Sequence, residues 1–157
     1  MTETSRIISI FLDERTVVNR TPQVEHERKV AIFDLLEDNS FELINGPEGP
    51  YALHLSIEEN RLAFDVHDVL DLPLKRFVLA LSPFRSIVRE YLMVCESYYT
   101  AIKTASPTQI EAIDMGRRGL HNDGSDILKE RLKDKVELDH STARRLFTLV
   151  CVLHIKG

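Results

Sequence analysis

Tryptophan is absent from the 157-residue sequence, and cysteine occurs only twice, at Cys95 and Cys151. Both cysteines lie in apolar segments with helical spacing, so we expect buried, reduced thiols rather than a disulfide or a reactive thiol. The longest strongly apolar run, residues 146–155, is interrupted by Thr148 and His154 and is too short to span a bilayer. The first six residues lack the basic and then apolar layout of a signal peptide. These absences predict a cytoplasmic protein that makes no membrane contact.

Basic residues are fewer than acidic ones, 20 against 25, which gives a net charge of −5. Residues 1–83 carry 15 acidic and 8 basic side chains, whereas residues 84–157 carry 10 acidic and 12 basic ones. The total argues against nucleic-acid binding, which usually requires a strongly basic face. A local cluster of positive charge in the C-terminal half remains compatible with these counts.

With 43% hydrophobic and 29% charged residues, the composition is typical of a globular protein, and the length predicts one domain over residues 1–157. Residues 6–12 are rich in β-branched and aromatic side chains and predict a strand. Thr21 and Pro22 predict the start of a helix that runs to Glu37. Period-two alternation, cut by turn signals, then predicts a β-meander that ends near residue 81.

Helical spacing dominates the rest of the chain and is strongest over residues 84–102. Ser106 predicts the start of a second helix, which we expect Gly116 to end, and Ser125 predicts the start of a short third one. Asp139 predicts the cap of a last helix, largely apolar and therefore central; a buried strand is the alternative. The overall prediction is an α+β fold, with an antiparallel sheet of four or five strands packed against a C-terminal layer of helices. Its strand–helix and meander part spans residues 1–81 and its helical part residues 82–157.

The segment from Gly116 to Gly124 holds three of the six glycines together with several polar side chains. A flexible loop that leads into a new helix presents free N–H groups, and arginines add forked donors for a phosphate or carboxylate. We therefore predict an anion site at the 114–125 loop, with these ligand-binding residues: Arg117, Arg118, His121, Asn122 and Ser125. The alternative is a solvated connection between helices, in which Arg118 simply pairs with Asp114.

Four further residues are candidates for a supporting role at this site: Asp114, Tyr98, Arg89 and Arg144. Arg85 and Arg89 lie four residues apart on one helix face, and Arg144 and Arg145 lie near the start of the last helix. If these helices pack near the loop, their guanidinium groups converge on it. Local surface pairing of these arginines is the alternative, and such pairs contribute only ~0–1 kcal/mol each.

No metal site and no cofactor are predicted. Asp65, His67 and Asp68 place three oxygen or nitrogen ligands within four residues, but no second cluster accompanies them, and metal sites usually gather ligands from separate segments. A polar strand end is the simpler interpretation. His54 alternates with core leucines, which predicts a place on the exposed face of the sheet.

Several stretches resemble a small uncharacterised family found in alphaproteobacteria, UPF0262. The resemblance rests on residues 24–37, on Glu96-Ser97-Tyr98-Tyr99, on the unbroken run from Gln109 to Asn122, and on residues 142–154. It covers nearly the whole chain and implies a cytoplasmic bacterial protein of one domain. It brings no activity and no catalytic residue to this sequence.

Three classes of function stay open on this sequence. The first is a binding or regulatory module for a small phosphorylated or carboxylated metabolite. The second is an enzyme that uses the same loop, with His121 as acid or base and a neighbour such as Asp114 to orient it. The third is a homodimeric protein–protein adaptor with an exposed apolar patch and no small-molecule site. We favour binding, because no nucleophile, metal set or acid pair is recognisable.

Overall fold

The computed structural model describes residues 3–14 and 21–154. Within them the chain forms an α+β fold, as predicted. Its elements are, in chain order, β1 (Ile7–Leu12), α1 (Pro22–Glu37), β2 (Phe41–Leu43), β3 (Tyr51–Glu58), β4 (Arg61–His67), β5 (Pro73–Ala80), α2 (Ser82–Thr104), α3 (Pro107–Leu132), β6 (Val136–Leu138) and α4 (His140–His154).

The main sheet has four strands in the order β1-β3-β4-β5. Strands β3, β4 and β5 form the predicted antiparallel meander, whereas β1 pairs parallel to β3, so the sheet is mixed. A parallel pair needs a crossover connection, which α1 and β2 provide. The short strand β2 lies outside this sheet and pairs with β6, a strand that the sequence did not predict. Three residues are too few to show a strand period.

Asn39 ties the end of α1 to β1. Its side-chain amide donates to the carbonyl oxygens of Ile7 and Leu35, both at 2.8 Å, and its Oδ1 accepts from the Ile7 N–H at 2.7 Å. At the other end of α1, Thr21 is the predicted cap, and its side chain accepts from the Val24 N–H at 3.2 Å. Together these bonds fix the helix beside the sheet.

Helix α3 runs unbroken through the segment that the sequence predicts to be a loop, so that prediction was wrong. Ser106 caps it as expected, and Gln109 completes a capping box that was not predicted. Gly116 does not end the helix, and no glycine in the described residues has a positive φ. Each glycine costs a helix only ~1 kcal/mol. Burial of Leu128 and Leu132 against the core outweighs that cost.

Ser125 is likewise not the start of a new helix. It is fully buried inside α3, and its hydroxyl donates to the carbonyl oxygen of His121, one turn earlier, at 2.7 Å. This bond within a helix is a common alternative to capping for serine. Ser125 therefore offers no free N–H group to an anion.

Helix α4 is the central helix of the molecule, as predicted, and not a strand. Asp139 caps it by accepting from the Thr142 N–H at 2.9 Å. Between Thr142 and Leu153 only Arg144 and Arg145 escape full burial. The helix contacts α1, α2, α3 and β3, so its first turns place both arginines where the other helices meet.

Candidate anion-binding cleft

A cleft of about 430 Å³ opens between the four helices. Helix α3 contributes Arg117, Arg118 and His121 to its wall, and α4 contributes Arg144 and Arg145. Arg85 and Arg89 of α2 do not line this cleft, whereas the arginines from α3 and α4 share it. The backbone that carries them is helical, so the site rests on side chains rather than on a flexible glycine loop.

Arg117 and Arg118 are both tied to Asp114, one turn earlier on α3. Arg117 donates to Asp114 Oδ1 from Nη2 at 2.6 Å and from Nε at 3.0 Å, and Arg118 Nε lies 3.2 Å from Oδ2. The Tyr98 ring lies under the Arg117 guanidinium, 4.8 Å from its centroid. Burial lowers the pKa of Arg117, but its bond to Asp114 contributes to a net rise. One carboxylate thus orients two guanidinium groups and neutralises part of their charge.

Arg144 and Arg145 are different, because neither forms an ion pair with any residue in the described part of the chain. Both are partly buried on the first turns of α4. A guanidinium group carries five N–H donors and stays charged at physiological pH. All the guanidinium donors of these two side chains therefore stay open to an anion in the cleft.

His121 is nine-tenths buried in the wall of the cleft. Its Nε2 lies 2.7 Å from Thr148 Oγ1, and the Thr148 hydroxyl can donate to the Arg144 carbonyl oxygen at 3.3 Å. That arrangement makes Nε2 the donor and leaves Nδ1 unprotonated, without a partner among the described residues. Burial, followed by the positive charge of Arg144, lowers the pKa of His121 to about 4. The ring is therefore neutral near pH 7.

The acid–base arrangement considered for His121 is not formed. Asp114 is occupied by two arginines, and the partner of the imidazole is the Thr148 hydroxyl, which cannot hold an imidazolium as a carboxylate does. Tyr91 and Phe147 enclose the ring, with centroids 5.1 and 5.4 Å away. His121 is thus placed as a neutral hydrogen-bonding group.

Helix α1 closes the opposite side of the cleft and carries the opposite charge. Glu27 and Asp34 line the cleft from this side. Glu27 accepts from the Tyr99 hydroxyl at 2.6 Å, so part of its capacity is already used. The cleft therefore has a basic wall on α3 and α4 and an acidic wall on α1.

Five of the predicted site residues do not line this cleft. Asp114 and Tyr98 only contact Arg117, which does line it. Asn122 is not among the lining residues, and its Oδ1 is buried without a partner among the described residues. Ser125 is used inside α3, as described above. Arg89 lies on the exposed surface of α2, so it does not join the other arginines. Glu27, Asp34 and Thr148 line the cleft instead, and only their place on amphipathic helices could have indicated them.

The similarity of this chain to known proteins extends over nearly its whole length. The model of the uncharacterised protein family UPF0262 matches residues 4–156. The chain belongs to this family. No solved structure matches the UPF0262 chain.

The family has similar members in several bacteria, mostly alphaproteobacteria. A UPF0262 protein of Rhodospirillum rubrum is 62% identical over 155 residues, which cover 99% of this chain and 96% of that protein. A UPF0262 protein of Methylobacterium radiotolerans is 58% identical over 153 residues, covering 98% and 95%. One of Paramagnetospirillum magneticum is 54% identical over 157 residues and covers both chains completely. Within the described residues, no helix is both long and apolar enough to cross a membrane.

Proposed function

We propose that this UPF0262 chain is a binding or regulatory module that takes a small phosphorylated or carboxylated metabolite in the cleft. The observation that carries the proposal is the pair Arg144 and Arg145, which line the cleft and have no ion-pair partner among the described residues. Both guanidinium groups carry a positive charge into the same cleft, and a phosphate or carboxylate accepts guanidinium donors in pairs. A bound anion would provide the negatively charged partner that Arg144 and Arg145 lack among the described residues.

The shape and the charge of the cleft narrow the class of ligand. A volume of about 430 Å³ falls within the range of small-molecule sites. Arg117 and Arg118, held by Asp114, add positive charge beside the free pair. The acidic wall with Glu27 and Asp34 favours a ligand that also carries hydroxyl or amino donors on the side away from its anionic group. A polar metabolite with one anionic end meets both walls.

Binding is better supported than catalysis. An acid or base catalyst works best with a pKa near the operating pH, and the pKa of His121 is about 4. Its neighbour is a hydroxyl rather than a carboxylate. A protein–protein adaptor without a small-molecule site does not require a cleft in which Arg144 and Arg145 lack ion-pair partners among the described residues. In this proposal His121 and Thr148 contact the ligand or shape the cleft, and neither residue takes part in a catalytic step.

A thermal-shift screen against inorganic phosphate, sugar phosphates, nucleotides and dicarboxylates tests the proposal. A ligand at a hundredfold its Kd adds ~2.7 kcal/mol to the free energy of unfolding, which raises the Tm by roughly 5–10 °C for a chain of this size. We expect Arg144→Ala and Arg145→Ala to abolish the shift. Arg85→Ala is the matched control, because Arg85 is exposed on α2 outside the cleft, and it should keep the shift. No shift with any compound at millimolar concentration, or an equal shift in all variants, contradicts the proposal.

A further inference from the structure

Two histidines and one aspartate meet on the outer face of the sheet, away from the helices. His54 lies on β3 and His67 on β4, and the register pairs His54 with Asp65 and His67 with Ala52, so the histidines are diagonal neighbours. Their rings stack with centroids 4.2 Å apart and an angle of 30° between planes. Asp71 reaches them from the connection between β4 and β5. Three separate segments thus converge at one point.

The ring nitrogens of both histidines point at the same atom. His54 Nε2 lies 2.9 Å from Asp71 Oδ1, and His67 Nδ1 lies 2.8 Å from that oxygen. All three candidate ligand atoms lie within 4.8 Å of one another.

The connection after β4 is built in a way that holds Asp71 over the sheet. Asp68 Oδ1 accepts from the N–H groups of Leu70 and Leu72 at 2.9 and 3.0 Å, and the Asp71 N–H donates to the Asp68 carbonyl oxygen at 2.9 Å. Asp71 itself has φ 64°, a left-handed conformation that few residues other than glycine adopt. Such conformations persist where the surrounding structure enforces them, and they are common at functional sites.

The neighbouring charges do not compete for this cluster. Arg76 is occupied by Asp65 at 2.7 Å and by Glu58, on the same sheet face. The side chains of His54 and His67 are 29% and 18% exposed, and that of Asp71 is 65% exposed, so an ion and its waters can reach the ligand atoms. The cluster is therefore ordered by its own fold and open on one side.

We propose that His54, His67 and Asp71 form a binding site for a divalent transition-metal ion, with Zn²⁺ as the best match. Two imidazoles and one carboxylate are a ligand set that suits Zn²⁺ and its neighbours rather than Mg²⁺ or Ca²⁺, which prefer oxygen. Metal–ligand distances of ~2.0–2.2 Å in a tetrahedral site place ligand atoms ~3.3 Å apart. The two His–Asp distances need to open by ~0.5 Å, and the two histidine nitrogens, at most 4.8 Å apart, need to close by up to ~1.5 Å. Asp71 lies on an exposed connection, which allows this adjustment. Water completes the coordination.

Equilibrium dialysis of the full, untagged and chelator-treated chain against Zn²⁺ measures the site. We expect one Zn²⁺ per chain, with affinity lowered at least ~100-fold by His67→Gln and by Asp71→Asn, because each removes a direct ligand. His26→Gln is the matched control, since His26 is exposed on α1 and outside the cluster, and it should bind like the native chain. Asp71→Asn keeps the test valid if His67→Gln fails to fold, because Asp71 lies on the surface.

A second measurement identifies the ligands. Co²⁺ bound at this site should give weak visible bands without the intense near-ultraviolet absorption of thiolate ligation, which separates it from binding at Cys95 or Cys151. The proposal is wrong if the native chain binds no Zn²⁺ at 1 mM, a concentration on the order of the weakest functional metal sites, or if Asp71→Asn and His67→Gln keep full stoichiometry and affinity. The phosphate-induced thermal shift of Asp71→Asn should equal that of the native chain. The metal site and the anion cleft are therefore tested independently of each other.

Discussion

Gly124→Ala is expected to destabilise the chain by ~1–3 kcal/mol, whereas Gly119→Ala should stabilise it by ~0.5–1 kcal/mol. Both changes add one methyl group inside the same helix, α3. At Gly124 the new Cβ would overlap the ring of Phe147 on α4, and because this ring is fully buried, the ring or one of the two helices must shift. At Gly119 no atom lies within 4 Å, and only the gain in helix propensity remains.

Urea unfolding of the two variants beside the native chain measures this contrast. Gly116→Ala provides a second exposed position, because a Cβ there also meets no atom within 4 Å, and it should behave like Gly119→Ala. Equal changes at Gly119 and Gly124 would show that α3 does not approach α4 as described. If Gly116→Ala and Gly119→Ala both destabilise the chain strongly, the segment from Gly116 to Gly124 is a loop, as the sequence predicted, and not part of a helix.

His121 should make the folded chain less stable as the pH drops from 6.5 to about 4. The pKa of His121 is about 4 in the folded chain, lowered first by burial, against 6.5 for an ordinary histidine. In this window the unfolded chain binds a proton that the folded chain refuses, so protonation favours unfolding. At 1.36 kcal/mol per pKa unit the loss is ~2 kcal/mol at pH 5 and on the order of 3 kcal/mol near pH 4. Above pH 7 both states are neutral and the effect vanishes.

The difference between the native chain and His121→Gln isolates this effect from the carboxylates, which titrate in both proteins. A glutamine amide can still donate to Thr148 but takes up no proton. We expect the native chain to lose free energy of unfolding relative to the variant as the pH falls from 7 to 4.5. A difference that stays constant over this range would mean that His121 is not buried beside the arginines of the cleft.

The secondary structure could be predicted wherever side-chain periodicity and end signals agreed. Thr21, Ser106 and Asp139 each cap a helix in the expected place. The meander followed from alternation interrupted by turn residues. The parallel pairing of β1 with β3 could not be predicted, because a strand's own sequence does not state the direction of its partner.

The glycines of α3 misled the prediction for a physical reason. Glycine is read as a helix end because of its backbone freedom, but that preference is only ~1 kcal/mol, and tertiary contacts exceed it. Gly124 is small because Phe147 occupies the space of a side chain. Its role is close helix packing, which depends on a residue 23 positions later in the chain and is invisible to a local pattern.

The candidate site was predicted in part, through its arginines. Arg117, Arg118 and Arg144 do share a cleft with His121, although the proposed loop does not exist. The acidic wall on α1 and the bond between His121 and Thr148 depend on how helices far apart in sequence pack together. The cluster of His54, His67 and Asp71 was missed for the same reason, since its histidines meet only through strand register.

An NMR titration with inorganic phosphate, which follows the arginine Nε–Hε signals of the full chain, tests the anion cleft most directly. We expect the signals of Arg144 and Arg145 to shift together and to saturate, those of Arg117 and Arg118 to move less because Asp114 already holds them, and those of exposed Arg61 and Arg85 to stay in place. The same titration of Arg144→Gln should leave the Arg145 signal unmoved. Equal shifts at all arginines, or no shift at Arg144 and Arg145 at millimolar phosphate, would contradict the proposal that this cleft binds anions.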